Sequence, residues 1–65
     1  MKGEDKMTFT EIWNEAYNLF TDGTKSEGKC YNDMQRFLEG CVRDGLLTVE
    51  DKCYMVRDIR ETANL

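Results

Sequence analysis

YNDMQRFLEGCVRDGLLTVEDKCYMVRDIRETA, residues 31–63, decides the fold: two apolar-periodic segments are joined by the short turn Asp44-Gly45-Leu46-Leu47-Thr48. At ~100° per residue counted from Cys30, the side chains of Phe37, Cys30, Cys41, Met34, Leu38, Tyr31 and Val42 fall within about 140° of arc. Gln35, Glu39, Asn32, Arg43 and Arg36 fill the opposite side. This is helical periodicity. A strand needs alternation, which Met34-Gln35-Arg36-Phe37-Leu38-Glu39 lacks. Gly45 can take the left-handed conformation just past the last turn, and Arg43 sits among the last carbonyls. Thr48 caps the next helix, Glu50 and Asp51 place negative charge in its first turn, and Asp51 completes a capping box with the shorter acid. So short a connection predicts two adjacent, antiparallel helices.

The last helix, Val49 to about Ala63, carries Cys53, Val49, Val56, Ala63, Ile59 and Met55 on one side. Arg60 and Lys52 lie inside that arc, where their stems can cover apolar surface while their charges reach water. Tyr54 points away from the stripe, beside Glu50, Glu61 and Arg57.

Upstream, Thr8 and Glu11 form a second capping box, with Met7 placed to pack on Ile12. The helix they open, about 9–21, gathers Leu19, Ile12, Ala16, Phe9, Phe20, Trp13 and Tyr17 within about 160°, opposite Glu11, Glu15, Asn14 and Asn18. It is expected to cover the open face of the hairpin. Residues 21–29, TDGTKSEGK, have two glycines and no large apolar side chain and read as a flexible loop; residues 1–7 read as a flexible tail. The expected architecture is all-α: one domain over residues 8–65, a three-helix unit with helices at about 9–21, 30–43 and 49–63, the first packed on an antiparallel hairpin.

At 65 residues the apolar core is marginal, so completion by a homo-dimer is expected. The formal charge is −4, which disfavours direct binding to nucleic-acid backbones and suits a protein partner with a basic surface. There is no histidine, and the three cysteines, Cys30, Cys41 and Cys53, form no C-x-x-C pair, so neither a metal nor another cofactor is expected. An odd count does not suit a disulfide scaffold, and no run of membrane-spanning length is present, so a reducing cytoplasm is the expected setting. Cys41 and Cys53 are nearly equidistant from Leu47, which leaves a regulatory disulfide open beside the plainer role of small core residues.

Residues 23–30, GTKSEGKC, follow the phosphate-loop spacing G-x-x-x-x-G-K until Cys30 replaces the hydroxyl that ligates magnesium. The segment follows an amphipathic helix rather than a strand, and the chain is too short for several βα units. A weaker anion site could use Lys25 and Lys29 near a helix N-terminus. Nucleophilic catalysis lacks a base, and all three cysteines fall on expected buried faces. Glu50, Asp51, Asp58 and Glu61 would need a cleft that desolvates one acid selectively, and solvated charge is the simpler account. The helix-turn-helix outline over Tyr31 to Ala63 places Val49-Glu50-Asp51, two negative charges, where a recognition helix meets DNA.

No enzymatic activity is therefore expected. The candidate partner-binding residues are Glu50, Tyr54, Arg57, Asp58 and Glu61 on the outer side of the last helix. In size, acidity and lack of catalytic apparatus the chain resembles, in kind and without a shared motif, small accessory proteins of phages and mobile elements. These include inhibitors of host nucleases and anti-CRISPR proteins. The expectation is a small acidic protein-binding module, such as an inhibitor that occupies a basic, nucleic-acid-binding site. The alternatives are a DNA-associated helix-turn-helix regulator and a nucleotide or anion sponge at a subunit interface.

Overall fold

The computed structural model describes residues 7–64. Apart from Met7, the expected tail lies outside the described residues; Met7 itself is half-buried and packs against the core. Three helices follow in order: α1, Phe9–Phe20; α2, Glu27–Arg43; and α3, Val49–Ala63. No strand occurs among the described residues. The all-α class and the three-helix count are as expected.

The helix starts are set by side-chain caps. Thr8 Oγ1 accepts from the Glu11 amide at 3.2 Å while Glu11 Oε1 accepts from the Thr8 amide at 2.9 Å. Thr48 and Asp51 exchange the same two bonds, at 3.0 and 3.2 Å. Each such cap is worth about 1 kcal/mol. The α2 start differs from expectation. Ser26 is extended and its Oγ accepts from the Lys29 amide at 3.3 Å, so the helix begins at Glu27 and takes Gly28 and Lys29 out of the loop.

At the other end of α2 the chain reverses through Gly45, whose φ is 83°. The Gly45 and Leu46 amides donate to the carbonyls of Val42 and Cys41 at 3.1 and 2.9 Å. A Cβ at Gly45 would meet no atom within 4 Å, so Gly45→Ala should cost only the left-handed strain, about 1 kcal/mol in urea unfolding. A variant as stable as the parent would contradict this account of the turn.

The core draws Ile12 and Ala16 from α1, Met34, Leu38 and Cys41 from α2, Leu47 from the turn, and Met55 and Ile59 from α3. All three helix pairs touch, and α1 packs most extensively on α2. The expected stripes are corrected in four places. Phe9, at the first position of α1, is 48% exposed. In α2 the centre of the buried face is Met34, and Phe37 lies half-buried at its edge. Leu47, expected only as a turn residue, is buried.

The largest correction concerns α3. Val49 is 65% exposed and Cys53 is exposed, while Asp51, Asp58 and Thr62 are partly covered. On a wheel of ~100° per residue the buried face is turned by about 60° from the apolar stripe. A polar tie accompanies the rotation: Trp13 Nε1 donates to Asp58 Oδ2 at 2.8 Å, fastening α1 to the side of α3 away from Val49.

Candidate functional site

Five residues of α3 were candidates for partner contact, and the rotation of that helix divides them. Asp58 is the carboxylate that receives the Trp13 indole, and it is half-buried. Trp13 in turn stacks on Tyr17, with ring centroids 5.2 Å apart and planes 10° from parallel. Glu50, Tyr54, Arg57 and Glu61 are all exposed, Tyr54 by 60%, and none makes a hydrogen bond or ion pair with a described residue. The four share one side of α3, so the outer face is Tyr54 between acids, with Arg57 beside it.

Between α2 and α3 runs a groove of about 450 Å³, lined on one wall by Tyr31 and Gln35 and on the other by Lys52, Cys53, Val56 and Arg57. Its cations are largely spoken for. Lys52 Nζ lies 3.4 Å from Glu39 Oε2, joining the two helices. The Arg60 guanidinium sits 5.6 Å from the centroid of Tyr31, a cation–π contact on the groove wall. Tyr31 is held from two further sides. Phe20 meets its ring edge-on at 6.4 Å, and Gln35 Nε2 donates to its hydroxyl at 2.7 Å. Gln35 Oε1 is buried and accepts nothing from the described residues. Tyr31 therefore closes the core rather than extending the outer face.

The loop before α2 has a definite conformation. Asp22 Oδ1 accepts from the Thr24 amide at 2.9 Å and from its hydroxyl at 2.6 Å. Lys25 Nζ donates to Asp33 at 3.0 Å and lies 3.9 Å from Asp22. The hydrogen bond from Lys25 holds the Asp33 carboxyl below its ordinary range and raises the Lys25 ammonium above its own. Lys25 is thus engaged by two carboxylates. Lys29 is exposed one turn into α2, beside Asn32, Asp33 and Arg36. The two lysines named for an anion share a neighbour in Asp33, which itself competes for any anion's place.

The cysteines separate by environment, and all three are free thiols. Cys30 is buried, its Sγ donating to the Asp22 carbonyl at 3.2 Å. Cys41 is buried, and burial together with the nearby Asp44 pushes its thiol up. Cys53, expected on a buried face, is exposed. A neutral thiol-disulfide reagent should modify Cys53 quickly in dilute, monomeric native protein and the other two only on unfolding. Equal rates for all three, read by absorbance of the released thiol, would contradict the assigned burial.

What sequence reading missed was the Trp13–Asp58 bond. The signal, an indole needing an acceptor, was present, but nothing in the chain order said which of many carboxylates would supply it. No cluster of three or more cysteine or carboxylate side chains is placed to hold a metal among the described residues. No described helix is long and apolar enough to cross a membrane. Compared with protein-family models, curated proteins and solved structures, the chain matches none.

Proposed function

We propose that this protein is a non-enzymatic binding module that meets a protein partner through the outer face of α3, with Tyr54 as the anchor and Glu61 and Glu50 as its acidic flank. The observation that carries this is the idleness of those side chains. The fold uses Asp51 as a cap, Asp58 as an acceptor and Lys52 as a cross-helix tie, whereas Tyr54 and Glu61 serve no described contact. An exposed tyrosine ringed by charge is a common form of interaction anchor. With a net charge of −4 the complementary surface is basic. An inhibitor that covers a partner's nucleic-acid-binding site, in a reducing cytoplasm, is the form we favour. The anion-sponge alternative is weakened because Lys25 is already paired.

Affinity capture from host lysate should be run in parallel with the wild type and a Tyr54→Ala/Glu61→Lys variant, both checked for helicity by circular dichroism. A partner held by the first and lost by the second supports the assignment. Equal recovery by both would move the binding surface elsewhere on the molecule.

A further inference from the structure

Helix α3 carries two apolar seams, and the fold buries one of them and only part of the other. Met55, Ile59 and Thr62, spaced by four and three, face the core. Val49, Cys53, Val56, Arg60 and Ala63 are spaced four, three, four and three, the periodicity by which one helix meets another. The first half of this second seam is left uncovered, with Val49 65% exposed and Cys53 exposed, while Val56 and Ala63 are half-buried and Val56 also touches the core. Leaving such a stripe at water is a poor use of apolar surface in so small a domain.

We propose that a second copy of this chain covers that seam, the two α3 helices pairing antiparallel about a two-fold axis that passes beside Cys53. The occupant and its direction follow from charge. Glu50 and Arg57 are seven residues apart, and both lie on the same flank of the seam. Parallel pairing, with the two-fold running along the seam, would turn the Glu50–Arg57 flanks of the two copies to opposite sides, and each Glu50 would face the flank of Lys52, which is already tied to Glu39. Antiparallel pairing sets each Glu50 against Arg57 of the second copy, and a two-fold axis supplies that contact twice. With Cys53 meeting its own symmetry mate, Val49 and Val56 of the second copy lie within one residue, about 1.5 Å, of the same level, as do Glu50 and Arg57, so the apolar layers and the ion pairs fit one register. Lys52 borders the other flank and would approach its symmetry mate, but it is already tied to Glu39 of its own chain at 3.4 Å. Tyr54 and Glu61 stay outside the seam. The dimer therefore takes up Glu50 but leaves Tyr54 and Glu61 of the partner surface proposed above free, and it would present two copies of that pair.

The test combines charge exchange with crosslinking. In sedimentation equilibrium under reducing conditions the wild type should show a concentration-dependent monomer–dimer equilibrium. Arg57→Glu should weaken it by about tenfold, since two attractions become two repulsions. Glu50→Lys combined with Arg57→Glu should restore it to near the wild-type value, because the swap regenerates both pairs. Diamide, which takes up the two hydrogens of a thiol pair as the disulfide forms, should yield a covalent dimer from wild type and none from Cys53→Ser. A wild type that stays monomeric would overturn the proposal. So would a dimer indifferent to Arg57→Glu, failure of the double exchange to rescue in a variant of unchanged helicity, or a seam occupied only by a helix of another protein.

Discussion

Leu38→Ala should remove about half of the domain's stability. Leu38 is fully buried near the middle of α2, among side chains from all three helices. Deleting such a side chain costs about 2–5 kcal/mol, the transfer of the lost atoms plus the cavity they leave. A domain of this length has roughly 3–10 kcal/mol of stability in total. Where folding survives, the melting temperature followed by circular dichroism should fall by about 10–30 °C, at roughly 4–8 °C per kcal/mol. Val49→Ala, followed in dilute solution where the chain is monomeric, is the matched control. Its side chain is mostly in water, so the midpoint should move by less than about 0.5 kcal/mol. A Leu38→Ala protein that melts with its parent would show that the core has been placed on the wrong face.

The second large effect concerns the bond between Trp13 and Asp58. It spans 45 residues of sequence and is the described side-chain hydrogen bond that ties α1 to α3. Hydrogen bonds to charged groups contribute about 1.5–3 kcal/mol, and partial exposure of Asp58 places this one toward the lower figure. Asp58→Ala should therefore destabilise by about 1.5–2 kcal/mol. Trp13→Phe should cost more, because it also loses ring area over Tyr17. In the double variant the two losses should fall short of adding, with a coupling of at least about 1 kcal/mol in urea unfolding. Additive losses would mean that the indole and the carboxylate do not act on each other. A role for Asp58 in partner contact alone would give the opposite pattern, weakened binding with unchanged stability.

Sequence periodicity was sufficient for the number of helices, for the two capping boxes and for both ends of α3. Those features are local: Thr8 needs only Glu11, and Thr48 only Asp51, each three residues away. The start of α2 was missed by three residues because Ser26 caps without an acid at the third position, leaving half of the usual signal. The orientation of α3 was a different kind of problem. Its apolar residues cover a wide arc, and the sequence offers two seams within it. Which seam turns inward depends on where α1 docks, and that rests on long-range contacts such as the packing of Ile12 and Ala16 and the bond between residues 13 and 58. Leu47 escaped notice for a similar reason: a turn residue has no helical period to announce that it is buried. Of the candidate site, exposure of Tyr54, Glu50, Arg57 and Glu61 was legible from the wheel. The diversion of Asp58 and Lys25 to internal partners was not, since each partner lies on another turn or another helix.

The lone indole gives this molecule a built-in optical gauge. Trp13 is bonded to α3 and stacked on an aromatic neighbour in α1, so its emission should register any parting of those two helices even while backbone helicity persists. A fluorescence titration overlaid on far-ultraviolet dichroism would thus separate loosening of the docked helix from melting of the coils themselves, with no label attached.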